Sequence, residues 1–419
     1  MRVFCTGCGA TVDPRVTLPF ACPAARPDDD IDHVLNRELG PTPLVTEDHL
    51  NPFRRYRRRL LAWHLTGDDD AYLEMIEGLD RALIAVDGRG FRITPCLQHP
   101  QLAAALGIGG ALWLKDETGN VSGSHKGRHL MAVLLALLAL ERLPAFTGLR
   151  RRRLAIASCG NAALAAAVLA RAADWPLDVC IPTDAEPTVV ARLRDLGATI
   201  RVCRRDGTPG DPCVTAYRRL VADGALPFSV QGNDNGVAIE GGRTIGWELA
   251  EQLPGAPAQA LFIQVGGGAL ASGTVQGLAE TGRPLPRLYT VQTMGARPLQ
   301  RAYDRFQSQF ADADLDGALC LAAMHRSAFM WPWESIPHSI AHGILDDETY
   351  DWRDLVGHLR RTGGAPLTAD EDALKSVNDL VRVLAGIDAS HTGTAGLAGV
   401  TALENPPMSA IALITGAAR

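Results

Sequence analysis

Lysine is almost absent from this sequence. Of its 41 basic residues only Lys115, Lys126 and Lys375 are lysines, which leaves 38 arginines in 419 residues. Arginine therefore handles salt bridges and anion contacts. A lysine kept inside a glycine-containing turn, KDETGNVSGSHKGR, points to a task that guanidinium cannot do, such as losing a proton and attacking a carbonyl. Long apolar runs are also missing. The longest, residues 130–140, falls well short of the ~20 that cross a bilayer, so it reads as a buried helix and no membrane partner is expected. The opening MRVFCTGCGATV lacks the apolar core of a secretory signal. There is no basic excess either: the net charge is -6 and the isoelectric point is near 6.0, which argues against nucleic acid as the main partner. Arginine clusters at 54–59 and 150–153 are expected to be solvated faces. The nine cysteines are odd in number and mostly scattered through apolar segments, as in a reduced, cytoplasmic protein.

Residues 1–90 read as an extension with Asp runs, Pro-rich joints and one or two helices. From Ile93 onward, short apolar runs alternate with helical patterns: ALWLK then HLMAVLLALLALER, LAIAS then AALAAAVLARAA, LDVCIP then PTVVARLRDLGA, TIRVC then VTAYRRLVADG, ALFIQV then ALASGTVQGLAE, and finally LYTVQ. This alternation predicts an α/β fold with mainly parallel sheets, whose ligand sites lie in the loops after the strands.

Two of those loops offer cradles. After LAIAS, Gly160 lets backbone approach a ligand, and Ser158 and Asn161 add side-chain hydrogen bonds beside the free N–H groups of a new helix, as a carboxylate would need. An ordinary Asn or Ser cap would look much the same. After ALFIQV, the run Gly266, Gly267, Gly268 makes an anion nest with a helix dipole behind it. A dinucleotide fingerprint is the rival, but it requires an acidic residue at the end of the next strand, where Gln292 and Thr293 stand. One phosphate cradle, one carboxylate cradle and one conspicuous lysine together suit a phosphorylated aldehyde cofactor with an amino-acid substrate. That cofactor is pyridoxal 5'-phosphate, held by Lys126 as a Schiff base.

The segments KDETGNVSGSHKGR, SCGNAA, EGGRTIGWELAEQL, VGGGALASG and LITG, in this order over residues 90–419, resemble the tryptophan-synthase-β/threonine-synthase family of fold type II pyridoxal-phosphate enzymes, with threonine synthase as the nearest pattern. The resemblance implies a two-domain α/β architecture, with residues 91–125 and 235–419 as the larger, cofactor-binding domain and 126–234 as the smaller one. It implies that Lys126 is the catalytic, cofactor-bearing lysine. Gly266, Gly267, Gly268 and Ala269 would hold the phosphate, with His125 also in contact, and Asn161 would bond the phenolic oxygen. Thr415 would face the pyridine nitrogen, and Ser158, Cys159, Gly160 and Ala162 would line the substrate-carboxylate site. A hydroxyl at the pyridine nitrogen does not force its protonation, which favours elimination and replacement over transamination. The family's members are commonly homodimers.

Departures sharpen the expectation. Threonine synthases typically read Asn-Pro-Thr-Gly-Ser-Phe-Lys-Asp-Arg at the lysine, where this sequence has NVSGSHKGR; the His before the lysine is similar to the tryptophan synthase β chain. The expected activity is a lyase or synthase acting on a small L-amino acid by Cα deprotonation and β-elimination or β-replacement. The alternatives are γ-replacement on O-phosphohomoserine and a non-catalytic homologue. Threonine synthases often begin with a four-cysteine zinc ribbon; here Cys5-x-x-Cys8 is followed by Cys22 without a second partner, His33 being a fourth ligand only in principle. The expectation is a degenerate ribbon and no metal. His338 and His342 have helical i, i+4 spacing and read as packing or substrate contacts, Cys159 as a small filler, and Lys115 and Lys375 as structural.

Overall fold

The computed structural model describes residues 1–40, 42–45, 47–205, 210–253 and 258–419. Strands β1 (Arg2–Cys5), β2 (Thr11–Val12) and β3 (Leu35–Glu38) form a small antiparallel sheet in the order β2-β1-β3. Next come β4 (Cys96–Gln98) and β5 (Ala111–Asp116), then β6 (Leu154–Ala157), β7 (Leu177–Pro182), β8 (Thr199–Cys203) and β9 (Leu226–Pro227). The chain closes with β10 (Ala260–Gln264), β11 (Arg287–Thr293), β12 (Ala365–Ala369) and β13 (Ser409–Ile414). The larger sheet has the order β12-β11-β10-β13-β5-β4, parallel except at β4; the other, β8-β7-β6-β9, is parallel throughout. The architecture is mixed α/β with two mainly parallel sheets. Strands covered on both faces need continuous apolar sequence, and ALFIQ of β10 is buried at every position. All six expected strands form; β1, β2, β3, β4, β9, β12 and β13 are additional.

Four helices carry the site: α1 (Lys126–Glu141), α2 (Asn161–Ala172), α3 (Val237–Gln252) and α4 (Ala269–Ala279). α1 is apolar nearly all round because it runs through the interior. It shares one continuous core with α2 and with Phe53, Tyr72 and Leu83 of the amino-terminal segment. Residues 1–90 are thus packed into the body rather than appended to it. We propose the division at 126 and 234 as the boundary between two lobes, one around each parallel sheet.

The arginines at 54–59 are not simply a solvated face. Arg57 pairs with Asp69 at 2.7 Å and with Glu47, while Arg59 reaches the carbonyls of Thr42 and Pro43, and both arginines are buried. Arg55 and Tyr56 both meet Glu251 of α3, at 2.9 and 2.8 Å. The cluster fastens the amino-terminal segment to the body.

The glycines of EGGRTIGWELAEQL permit helix contact at backbone distance. A Cβ at Gly241 would lie 2.2 Å from the Arg128 carbonyl oxygen on α1, and one at Gly273 of α4 would lie 2.4 Å from that of Ile239. α3 is therefore pressed between α1 and α4. Across this contact lies a fully buried group of two cations and two anions: Lys115, Arg128, Glu117 and Glu248. Arg128 donates to Glu117 at 2.7 and 2.9 Å, Lys115 donates to the Thr94 carbonyl at 2.7 Å, and both cations also meet Glu248. Burial opposes ionisation of Glu117, but the Arg128 guanidinium outweighs it and holds the carboxyl below its usual range. Lys115 is structural, as expected from the sequence.

Removing one member strands the opposite charges in a dry interior. Glu248→Ala is expected to lose about 3–5 kcal/mol of stability, read as a lowered midpoint in urea unfolding.

Candidate active site

Three loops meet at one edge of the larger sheet because β13 lies between β10 and β5. β10 leads into Gly266, Gly267 and Gly268; β13 leads into Thr415; β5 leads through a turn to Lys126. In that turn Ser122 has φ +59° and Gly123 φ +71°, so the backbone reverses before α1 begins. Ser124 bridges to Gly416, and the His125 amide donates to the Thr415 carbonyl at 3.0 Å. Lys126 is thereby fixed as the first residue of α1. Its side chain is half-buried, and among the described residues it makes no hydrogen bond or salt bridge. Burial pushes its amine below the usual lysine range, although the Asp346 carboxyl opposes the shift.

The glycine loop opens α4. Gly268 has φ +106°, a conformation that L side chains rarely adopt. A Cβ at Gly266 would stand 2.2 Å from Asp346 Oδ2, and one at Gly267 2.9 Å from the Tyr350 ring. The backbone N–H of Gly267 points at the Asp346 carboxyl. The nest therefore has a helix behind it and an N–H already directed at a carboxyl group. Gly267 also accepts from the amide of Asp351, whose buried carboxyl has neither oxygen partnered among the described residues. Burial, with Asp354 and Asp32 nearby, pushes Asp351 well above the usual carboxylate range.

Thr415 is buried, and its hydroxyl lies 2.6 Å from Gln264 Nε2, which also faces the carbonyls of Thr392 and Gly393 at 2.9 Å each. Two carbonyl acceptors fix which end of the amide carries nitrogen. The Thr415 oxygen is thus faced by a donor and its own hydrogen is left for another acceptor. His125 directs Nδ1 at the Thr415 carbonyl, 3.0 Å away; a carbonyl only accepts, so that nitrogen carries the proton. Burial and the nearby Lys126 hold this imidazole well below its usual pKa, so Nε2 is a bare acceptor. His125 is arranged to secure the Thr415 loop through Nδ1, and the phosphate contact implied for it is a matter for its other ring nitrogen. His129, one turn on, donates to the Ala238 carbonyl at 2.7 Å and is likewise held down, to about 3, by burial and Lys126.

From the smaller sheet, β6 delivers Ser158, Cys159, Gly160 and then Asn161 and Ala162 at the start of α2. Asn161 Nδ2 sits 2.9 Å from where a Gly416 Cβ would be, so this loop meets the Thr415 loop. A Cβ at Gly160 would meet nothing within 4 Å, which leaves open space beside the free N–H groups of α2. Cys159 is exposed. Partial desolvation and the carboxylates of Asp184 and Asp211 raise its thiol above the usual range, so nothing activates it as a nucleophile.

Asp346 is the residue that sequence reasoning missed. It is the penultimate residue of PHSIAHGILDD, a segment in which the two histidines draw the attention. His338 and His342 share no helical face: the first lies in irregular chain and the second starts a short 3₁₀ turn, His342–Ile344. Burial pushes the Asp346 carboxyl up to about 6, against the pull of Lys126 and the Gly267 N–H.

A family model described as pyridoxal-phosphate dependent enzyme matches residues 89–416. The chain belongs to that family. It is 35% identical over 140 residues to a bovine (Bos taurus) L-serine dehydratase/L-threonine deaminase, covering 33% of this chain and 41% of that protein. It is 25% identical over 317 residues to a threonine synthase of Methanosarcina acetivorans, covering 74% and 69%. The chain thus spans about two fifths of the bovine relative's length. Among solved structures, a threonine deaminase from T.th. superposes with a TM-score of 0.61 at 23% identity, covering 82% of this chain and 98% of that one. Dehydratases and a threonine synthase both stand among its relatives, so the family alone does not choose between their reactions. The site fits the family's cofactor: a glycine nest with no room for a Cβ, a lysine without a hydrogen-bond or ion partner among the described residues, and a buried hydroxyl with a free hydrogen.

Asp346 ionises near 3.8 in an unfolded chain and near 6 here, so the folded state holds its proton longer and its ionisation lowers stability as pH rises between those values. Asp346→Asn removes that cost. Its stability gain over the parent is expected to be near zero at pH 4, to grow through pH 6 and then to level off, read from unfolding midpoints. A gain independent of pH contradicts the assignment.

Proposed function

We propose that this chain is a carbon–oxygen lyase that removes water, with release of ammonia, from a small hydroxylated L-amino acid such as serine or threonine. What carries this reading is the pairing of Lys126, a half-buried amine made less basic by burial, with Asp346, a carboxyl that keeps its proton to about pH 6. The dehydratase relatives support the choice of substrate class.

In this reading Lys126 holds the cofactor through its ε-amine. The N–H groups of Gly266, Gly267, Gly268 and Ala269 hold the phosphate, Asn161 the phenolic oxygen and Thr415 the ring nitrogen. Ser158, Cys159, Gly160 and Ala162 receive the substrate carboxylate at the start of α2. When bound, pyridoxal phosphate supplies the electron sink that makes the substrate Cα proton removable. Lys126 Nζ takes that proton, for which a lowered pKa is suited. Asp346, within electrostatic reach of Lys126, gives its proton to the departing hydroxyl on Cβ. The Thr415 hydroxyl donates to the ring nitrogen without protonating it, which steers the chemistry to elimination.

The γ-replacement reading keeps one support, the similarity to a threonine synthase over 74% of the chain. A cytoplasmic homodimer also belongs to this proposal; the nine unpaired thiols support a reducing compartment, and light scattering of the purified protein checks the dimer.

The test is 2-oxo acid formation from L-serine, L-threonine and O-phosphohomoserine, with the visible absorption of the cofactor followed alongside. The expected result is pyruvate or 2-oxobutanoate from the hydroxy amino acids, falling by about three orders of magnitude or more in Lys126→Ala with loss of the protein-bound visible band. Threonine from O-phosphohomoserine would favour the second reading; cofactor binding with no turnover of any amino acid would favour a non-catalytic homologue.

A further inference from the structure

The amino-terminal sheet brings together Cys5, Cys8, Cys22 and His33, whose donor atoms all lie within 4.8 Å of one another. We propose that these four residues hold one structural zinc ion, with His33 bound through Nδ1 and Asp29 as the carboxylate that orients it.

The distances match the ion. A tetrahedral centre with Zn–S near 2.3 Å and Zn–N near 2.0–2.1 Å sets sulfurs about 3.8 Å apart and sulfur from nitrogen about 3.6 Å. Here Cys8 Sγ lies 3.7 Å from Cys22 Sγ, and Cys5 Sγ lies 3.4 Å from His33 Nδ1. A sulfur pair at 3.7 Å is far outside a disulfide bond. His33 Nε2 sits 3.1 Å from Asp29 Oδ2. A carboxylate only accepts, so Nε2 carries the proton and Nδ1 turns its lone pair toward the sulfurs, the tautomer a metal requires. Asp29 is itself held, by the amides of Arg26 at 3.0 Å and Ile31 at 3.2 Å.

Three sulfurs and one nitrogen fill a tetrahedron and leave no position for a substrate, so the ion is structural. Its place explains the need for it. The strands β1, β2 and β3 are too short to enclose a core of their own, and the stretch from Phe20 to His33 carries contacts to the body. Asp30 accepts from the amides of Arg326 and Ser327, Asp32 donates its amide to the Ala323 carbonyl and pairs with Arg326 at 3.3 Å, and the Phe20 carbonyl accepts from Gly236 at the start of α3. The ion would fix that loop against both the Leu315–Met324 helix and α3.

Sequence alone left this site short of a fourth ligand, because the second cysteine of the expected ribbon is missing and its replacement stands eleven residues beyond Cys22.

The test uses the full chain purified without a histidine tag. Elemental analysis is expected to find one zinc per chain, and cobalt exchanged into the site should give the intense visible bands of tetrahedral thiolate ligation. Asp29→Asn keeps all four ligands and is expected to lower zinc affinity about 10–100-fold in competition with a chelator. Cys22→Ser should abolish stoichiometric zinc. Because that variant can fail to fold, the cobalt spectrum of the parent protein is decisive. No metal after equilibration with zinc and dialysis, stoichiometric iron in its place, or a weak octahedral cobalt spectrum overturns the site; unchanged affinity in Asp29→Asn overturns the role given to Asp29.

Discussion

The rest of the site depends on the buried charge group formed by Lys115, Arg128, Glu117 and Glu248. Arg128 is two residues beyond Lys126 on α1, Lys115 lies on β5 just before the turn to Lys126, and Glu248 projects from α3. Two cations and two anions in a dry interior are stable only when each is matched, so their arrangement admits little slack. Strand, turn, helix and the neighbouring helix are locked to one another there. The result is that one lysine can stand at the meeting of three loops with no hydrogen-bond or ion partner among the described residues while another, eleven residues earlier, is matched by carboxylates.

Helix contact at backbone distance does the complementary work. Gly241 and Gly273 let α3 touch α1 and α4 directly, so the lysine helix and the helix opened by the glycine nest share one rigid neighbour. The amino-terminal segment then grips the same helix from outside: Arg55 and Tyr56 reach Glu251, and Arg37 reaches Glu240. In the account proposed here, the zinc-bound loop adds a further grip at Gly236. A segment that in sequence resembles an appendage serves in the fold as a brace for the candidate site.

Much of this was legible locally. Continuous apolar runs announced the parallel strands, and the glycine triplet after ALFIQV announced the nest. The scarcity of lysine singled out Lys126 before any resemblance was weighed. What could not be read depended on partners far apart in the chain. Asp346 approaches Lys126 across 220 positions, and nothing around it signals a proton-holding carboxyl. Arg57 and Arg59 looked like surface charge because their acidic partners lie in other elements. The bond from His125 to the Thr415 carbonyl, across 290 positions, was equally hidden. His33 was discounted for the same reason: spacing alone does not reveal that a loop folds back.

The central claim is that Lys126, and neither of the other two lysines, bears the cofactor. Reduction of the pyridoxal-phosphate-loaded protein with sodium borohydride fixes the cofactor to whichever amine holds it, and peptide mass mapping then locates it. With three lysines in the chain the answer is unambiguous. The account predicts one modified peptide, containing Lys126, in the parent protein and none in Lys126→Ala. Modification at Lys115 or Lys375, or none in a protein that has bound the cofactor, would contradict it.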